Sequence, residues 1–271
     1  MKALTVKEIQ EKNLQILIFI DKVCRDNNLR YTLASGTMLG AVREGGFIPW
    51  DDDADIRMPR PDYDKLLDYF YNNEIPFCVH NIDTDRYSPI YWTRICDKET
   101  IFERFNEKFD YGCFVDLFPV DGIGNDIYYY KSKEKKIDYY KRLMFFNRFL
   151  NYSLKVNKSL KSKISILLRY IHIKLLGPKN IIKKMLIGEW TYNDSKYVSN
   201  VSSPNFIKQI FEKSMYEELT DWEFEGHTFK ICKNYDLYLR TEYGDNYMTP
   251  PPPDKRGDGN HGSFNFYYKE K

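Results

Sequence analysis

The fold is decided by the stretch Ser35-Gly-Thr-Met-Leu-Gly-Ala-Val-Arg43 and, just after it, Pro49-Trp-Asp-Asp-Asp-Ala-Asp-Ile56. A turn of small residues leads through one short helix and a loop into a run of carboxylates. Asp51, Asp53 and Asp55 alternate, so an extended backbone would place their side chains on one face. Carboxylates this close stay ionised together only around a cation or in full contact with water. Oxygen ligands suit Mg²⁺ or Mn²⁺, so the stretch predicts a metal-dependent site for a phosphate-bearing substrate.

The composition sets limits on the class of protein. The chain has 271 residues, of which 42% are hydrophobic and 17% aromatic, which favours a large core and argues against disorder. A net charge of +2 gives no support for nucleic-acid binding. The five cysteines are scattered and form no CxxC pair, so we expect buried thiols in a reducing cytoplasm. We find no apolar signal segment near the N-terminus and no spanning helix, and therefore expect a cytoplasmic protein.

Local patterns predict a mixed α/β catalytic core over residues 1–125. Thr5 and Glu8 have capping-box spacing ahead of a helix expected at Val6–Asp26. The remaining predicted elements are a strand at Tyr31–Ala34, a helix at Thr37–Arg43, an acidic strand at Asp53–Met58, a helix from Pro61 to Tyr71, and strands at Phe77–Asn81, Ile90–Cys96 and Phe114–Phe118.

Residues 126–271 are expected to be mostly helical and to complete the site as part of one compact unit. Lys, Tyr, Leu and Ile are frequent from Asp126 to Glu189, which predicts helices. A hairpin is expected at Glu223–Ile231 and a closing helix at Asn234–Arg240. The tail from Pro250 to His261 is too rich in Pro and Gly for helix or strand.

The acidic run has several competing interpretations. A solvated acidic turn is one, but a further carboxylate, Asp116, lies in the apolar stretch Phe114–Pro119 and needs a partner if it is buried. An EF-hand loop starting at Asp51 would need Gly and Glu where Ile56 and Asp62 stand, which excludes it. A haloacid-dehalogenase-like nucleophile is weakly supported, whereas a DxD glycosyltransferase remains a competitor.

The block Leu33–Ile56 resembles the hallmark block of the LicD family, which includes phosphocholine transferases and is related to fukutin-type proteins. The resemblance continues at Phe114–Gly122, Tyr235–Leu239 and Tyr243–Pro251. The chain departs from the pattern at Cys232, where Pro is usual, and at Ala54, where Ile or Val is usual. Neither residue touches a carboxylate. Residues 126–218 match nothing in this pattern, which leaves the acceptor open.

The resemblance implies a nucleotidyltransferase-like mixed sheet with helices, in which three carboxylates hold two divalent ions. It implies transfer of a phospho-alcohol, typically phosphocholine from CDP-choline with release of CMP, to a hydroxyl of a surface polysaccharide, teichoic acid or lipopolysaccharide precursor. Another CDP-alcohol, carrying ethanolamine, glycerol or ribitol, stays open as the donor. The alternatives are a nucleotidyltransferase that uses an NTP and releases pyrophosphate, the DxD glycosyltransferase, and a non-catalytic binding relic.

The candidate site residues follow from both lines of reasoning. Asp53, Asp55 and Asp116 are the expected catalytic metal ligands, with Asp51 as a further ligand or a supporting partner, and Asp116 is one choice of base. The predicted phosphate-binding residues are Ser35, Gly36, Thr37, Arg43, Arg256 and His261. Aromatic residues at Trp50, Tyr91 and Trp92 are candidates for a choline cage, with core packing as the alternative.

One segment predicts a second kind of contact. Ile164–Leu176 is apolar with basic residues around it, including Lys161, Lys163 and Lys184. Peripheral contact with the inner face of an anionic membrane, near a lipid-linked glycan acceptor, is one hypothesis. A buried helix with snorkelling lysines is the other.

Overall fold

The computed structural model of the protein describes residues 2–105, 107–157, 159–185, 190–203, 206–256 and 264–270. The helices in these ranges are α1 (Val6–Asp26), α2 (Ser35–Arg43), α3 (Arg60–Asn72), α4 (Ile127–Ser132), α5 (Glu134–Arg148), α6 (Leu150–Val156), α7 (Leu160–Leu176), α8 (Pro178–Met185) and α9 (Tyr235–Tyr243). The strands are β1 (Thr32–Leu33), β2 (Ala54–Pro59), β3 (Cys78–His80), β4 (Thr93–Cys96), β5 (Thr100–Arg104), β6 (Glu107–Phe109), β7 (Phe114–Gly122), β8 (Tyr197–Ser199), β9 (Ile210–Glu212), β10 (Leu219–Phe224), β11 (His227–Cys232) and β12 (Phe264–Tyr268). The mixed α/β class expected from the sequence is confirmed.

A mixed sheet forms the centre of the molecule. Its strand order is β1-β2-β7-β4-β3, and β8 and β9 extend it from the end of β7. Strands β2 and β7 run parallel, whereas β1 and β4 pair antiparallel to them. Both parallel strands are largely buried, as expected for central strands that are covered on both faces.

The core lies where helices cover this sheet. Ile16 of α1 and Leu66 of α3 pack in one cluster with Ile56 of β2 and Leu117 of β7, and all four are fully buried. Burial of a side chain of this size contributes about 1.5–3 kcal/mol, so this cluster fixes the two parallel strands against their helices.

Local signals located most elements of the first half to within a few residues, but β5 and β6 were not predicted. Helix α1 has the predicted bounds, and its capping box is formed, since Thr5 Oγ1 accepts from the Glu8 N–H at 3.2 Å while the Glu8 carboxylate accepts from the Thr5 N–H at 2.8 Å. Helix α2 starts two residues earlier than expected and β2 one residue later.

The second half is helical where the composition predicts it. Helices α4 to α8 occupy the described part of Asp126–Glu189, and the hairpin β10–β11 and helix α9 are also confirmed. Strands β8 and β9, which join this half to the central sheet, were not predicted, nor was the sheet that β12 forms with β5 and β6. The expectation of a tail without helix is wrong at one 3₁₀ turn, Pro253–Lys255.

Two further expectations concern the whole chain. All five cysteines lie in the described ranges as free thiols. Four of them are buried, and Cys78 is partly exposed. No helix within the described ranges has both the length and the apolar character needed to cross a membrane.

Candidate active site

Three carboxylates meet at the start of the two parallel strands. Asp55 on β2 is the register partner of Asp116 on β7, and Asp53 directly precedes β2. One carboxylate oxygen from each of the three lies within 4.8 Å of the other two. The strand pairing therefore brings together residues that are far apart in the sequence, as the triad interpretation requires.

The acidic loop before β2 has a different shape from the one expected. Because β2 begins only at Ala54, residues 51–53 do not alternate as a strand, and carboxylate oxygens of Asp51, Asp52 and Asp53 lie within 4.8 Å of one another. Strict alternation of Asp51, Asp53 and Asp55 would place Asp52 on the opposite face, but its carboxylate lies with those of Asp51 and Asp53. Asp51 clusters with Asp52 and Asp53, while Asp53 is shared with the triad.

Helix α1 holds this loop in place. The Gln10 side-chain amide donates to the Ile48 carbonyl at 3.1 Å and to the Asp51 carbonyl at 2.8 Å, and the Asn13 amide donates to the Asp52 carbonyl at 3.3 Å. Sequence reasoning missed both side chains, although polar residues three positions apart on one helix are expected to share a face.

The electrostatics of the triad favour a bound cation. Burial, followed by the negative charges of Asp53, Asp116 and Asp51, raises the pKa of Asp55 well above its usual value, and Arg57 only partly opposes this. The oxygen-only donor set and the mutual repulsion fit Mg²⁺ or Mn²⁺, which prefer carboxylate ligands.

Asp116 is oriented by two donors. The Arg94 Nε and the Trp92 Nε1 donate to the same Asp116 oxygen, at 2.8 and 2.6 Å. Arg94 is the register partner of Asp116 across β4 and β7, and its guanidinium lies 3.8 Å from the centre of the Phe114 ring. Arg94 Nη2 also donates to the other Asp116 oxygen, at 3.4 Å, so the guanidinium contacts both oxygens and fixes the direction of the carboxylate.

The predicted phosphate-binding turn contacts the acidic loop directly. Ser35 has a positive φ of 46°, and a Cβ on Gly36 would lie 2.6 Å from Asp51 Oδ2, so glycine permits this close approach. Thr37 Oγ1 accepts the Asp55 backbone N–H at 2.8 Å. Thr37 thus links helix α2 to the triad strand.

Arg57 is a site residue that sequence reasoning missed. It follows Asp55 by two positions on β2, and is therefore on the same strand face. Its buried guanidinium pairs with Glu242 of α9 at 2.8 Å, lies 5.1 Å from the Tyr238 ring centre and donates to Ser35 Oγ at 3.4 Å. The Tyr238 hydroxyl in turn accepts the Ser35 N–H at 3.1 Å, so α9 supports the turn through two contacts.

A cavity of about 570 Å³ opens beside the triad. Its wall includes the following basic, aromatic and polar residues: Arg57, Arg94, Arg104, Lys141, Tyr91, Trp92, Phe118, Phe145, Ser35, Asn200, Ser202 and Ser203. The helical second half thus supplies one side of it. Another cavity, of about 770 Å³, lies against β9 and α9 and is lined by none of the triad carboxylates.

Burial changes the acid–base behaviour of two basic residues in this wall. It lowers the pKa of Lys141 to about 8. Burial and the charge of Arg94 lower the pKa of Arg104 to about 10. Partly dehydrated cations are suited to binding an anionic substrate group, which would also relieve the repulsion between Arg104 and Arg94.

Among the predicted phosphate contacts, Ser35 lines this cavity, whereas Gly36, Thr37, Arg43 and Arg256 do not. Arg43 is buried, and its guanidinium donates to Glu44 at 2.7 Å and to the Tyr247 carbonyl at 3.2 Å. Arg256 lies 5.0 Å from the Trp50 ring centre, beside the acidic loop, and donates to the Pro251 carbonyl. His261 lies outside the described residues. Of the proposed aromatic cage, Tyr91 and Trp92 line the cavity and Trp50 does not.

Comparison with known proteins agrees with this arrangement. Residues 28–157 match the family model described as LicD/FKTN/FKRP, nucleotidyltransferase domain. The chain is 29% identical over 269 residues to the lipopolysaccharide cholinephosphotransferase LicD of Haemophilus influenzae, covering 94% of this chain and 96% of that protein. Uncharacterized proteins of Rickettsia typhi and Rickettsia prowazekii are each 39% identical, over 26% and 22% of this chain and about a fifth of their own length.

Proposed function

From the match of residues 28–157 to the LicD-family nucleotidyltransferase domain, and from the likeness of nearly the whole chain to a LicD protein, we propose that the protein is a phosphocholine transferase that uses CDP-choline. Phosphocholine would pass to a hydroxyl of a cell-surface glycan, such as a polysaccharide, teichoic acid or lipopolysaccharide precursor, with release of CMP. The observation that carries the proposal is the triad of Asp53, Asp55 and Asp116 beside a cavity of about 570 Å³. That volume is ordinary for a small-molecule site.

A divalent ion fits the triad because its donors are oxygens and its charges repel one another. Asp53, Asp55 and Asp116 would hold it, with Asp51 beside them, and a second ion fits the four carboxylates together. When bound, Mg²⁺ or Mn²⁺ would neutralise charge on the diphosphate of the donor.

The chain's own residues would position the donor. Ser35 and the buried Arg57 present a hydroxyl and a guanidinium at the cavity wall, where they would hold a phosphate oxygen. Arg94 and Trp92 keep the Asp116 carboxylate in one orientation. A carboxylate of the triad would accept the proton of the acceptor hydroxyl as that oxygen attacks phosphorus and the CMP oxygen leaves.

The aromatic wall would bind the choline. Trp92 and Phe118 have ring centres 5.2 Å apart, and Tyr91 meets Trp92 edge to face at 5.1 Å. Faces of such rings attract a quaternary ammonium, and the nearby carboxylates add to the attraction. Lys141 and Arg104 are the wall's candidates for contact with anionic groups of the nucleotide or acceptor.

The test is a panel of CDP-alcohols with CMP release as the readout, using membrane-fraction glycans as acceptors. CDP-choline should be the preferred donor over CDP-ethanolamine, CDP-glycerol and CDP-ribitol, and EDTA should stop turnover. Asp53→Asn should abolish release without unfolding the protein, while Asp68→Asn, an exposed carboxylate on α3, should leave it unchanged. Turnover that persists in EDTA contradicts the metal assignment, and pyrophosphate release from an NTP in place of CMP would make the protein a nucleotidyltransferase.

A further inference from the structure

Helix α7 has two apolar faces; α5 and α8 cover one of them, and the other is exposed among the residues that the structure describes. Its inner face is buried at Ile166 and Ile173, and Ile173 packs with Leu143 of α5 and Ile181 of α8. Its outer face exposes six large apolar side chains by 42–80%, namely Leu160, Ile164, Leu167, Leu168, Ile171 and Leu175. Of the two alternatives considered for this segment, the buried helix therefore describes only the inner face of α7.

The exposed side chains form one continuous stripe. Their spacing of three and four residues places them along one side of the helix, over a length of roughly 22 Å at 1.5 Å per residue. Single exposed apolar residues are ordinary on a soluble protein, whereas a contiguous row of this length marks an interaction surface.

Basic residues border the stripe on both sides. With 3.6 residues per turn, Lys161 falls on one flank and Lys163 on the other. Exposed Lys183 and Lys184 follow on α8. Between Asp138 and Glu189 the chain contains twelve Lys or Arg and no acidic residue. The segment of α7 and α8 is therefore apolar and positively charged, and Asp83, from outside it, pairs with Lys179 at the start of α8.

The apolar stripe and the lysines beside it together indicate what binds this face of α7. We propose that the outer face of α7 lies on an anionic lipid bilayer, with its apolar stripe below the headgroups and the flanking lysines at the level of the phosphates. A helix with one apolar face and lysines beside it matches an interfacial membrane helix, because lysine stems extend along the apolar surface while their ammonium groups remain in water. A second copy of this chain would bring the same positive charges against themselves, which disfavours a dimer through this face.

The position of α7 connects this surface to the cavity. Helix α5 packs against both α7 and α8, and it carries Lys141 and Phe145, which line the cavity beside the triad. The single helix layer formed by α5, about 10 Å thick, thus separates the outer surface of α7 from the cavity. Docking of α7 would hold the cavity close to a lipid-linked acceptor, and the docking itself does not depend on which donor the enzyme uses.

Sedimentation with vesicles tests the proposal directly. The full chain should bind vesicles of phosphatidylglycerol and phosphatidylcholine, bind vesicles of phosphatidylcholine alone at least about tenfold more weakly, and lose affinity as salt is raised. Leu168→Ser with Leu175→Ser should abolish binding, and Lys161→Glu with Lys163→Glu should weaken it by at least about fivefold per lysine.

Control substitutions elsewhere on the surface test whether a loss of vesicle binding is specific to α7. Leu237→Ser, which removes a similarly exposed leucine from α9, and Lys65→Glu on α3 should bind like the wild type. Circular dichroism and sedimentation velocity accompany every variant to show that it is folded and monomeric. Absence of wild-type binding to either vesicle, binding that ignores the α7 substitutions, or a dimer that dissociates on Leu168→Ser with Leu175→Ser would overturn the proposal.

Discussion

Asp55 and Asp116 lie directly opposite each other in the parallel pairing of β2 and β7. Two carboxylates, that of Asp116 buried and that of Asp55 partly exposed, are thus held side by side by the backbone pairing of the two strands. The fold keeps its negative charges together at the expense of its own stability, an arrangement typical of functional sites.

Replacement of Asp55 should separate activity from stability. Asp55→Asn removes a negative charge whose proximity to Asp53 and Asp116 is unfavourable, so the free energy of unfolding in EDTA should stay equal or rise. CMP release should fall by at least about a hundredfold, since even residues that support metal ligands matter to that extent. Urea denaturation and the CMP assay measure the two effects. A loss of several kcal/mol in stability would show that Asp55 is structural.

Arg94 should be required chiefly as the partner of Asp116. Arg94→Gln leaves a buried carboxylate without its cation and should lower the free energy of unfolding by about 3 kcal/mol. Adding Asp116→Asn should restore much of that loss, since the unpaired charge disappears. Arg240→Gln, which breaks an exposed pair on α9, serves as the control and should change stability little. Additive effects of Arg94→Gln and Asp116→Asn would contradict the pairing.

Two glycines of α2 should respond differently to the same substitution. A Cβ on Gly40 would lie 2.4 Å from the Gly46 carbonyl oxygen, whereas a Cβ on Gly36 would meet only the movable end of Asp51. Gly40→Ala should therefore destabilise the protein by about 1–3 kcal/mol despite the better helix propensity of alanine. Gly36→Ala should leave stability within about 1 kcal/mol and reduce CMP release by displacing the Asp51 carboxylate. Thermal denaturation of both variants distinguishes these outcomes, and equal losses of stability would refute the distinction.

His80 should make the protein sensitive to acid. Burial, together with the charges of Arg94 and Arg148, lowers the pKa of His80 to about 3. The unfolded chain, whose histidine has the ordinary pKa of about 6.5, then binds more protons, so stability falls as the pH drops through 6.5 toward 3. His80→Gln removes this contribution. When the pH is lowered from about 7.5 to about 5, the free energy of unfolding of the wild type should therefore fall by about 2 kcal/mol more than that of the variant. Guanidinium denaturation at both pH values measures it, and parallel pH profiles would exclude His80 as the cause.

Much of the site was predictable because its signals are local. The capping box at Thr5 and Glu8, the small residues at the start of α2 and the spacing of the aspartates each depend on neighbours within a few residues. They predicted α1 and the acidic run, whereas Asp116 was predicted from its place in an apolar stretch and from the resemblance to the LicD family. Strand β2 begins at Ala54, one residue later than predicted, and Gln10 and Asn13 of α1, which are distant in sequence, bind the backbone of the loop before it.

The sequence by itself determined which chemical groups this protein brings to its site, since the order of turn, helix and aspartates is written in consecutive residues. Only the tertiary structure decided how those groups are held and what surrounds them. The partnership of Arg94 with Asp116, that of Arg57 with Glu242, and the cavity wall from α5 and residues 200–203 depend on strand register and helix packing between remote segments. Such contacts leave no local pattern, because their free energy arises only when the whole core has closed.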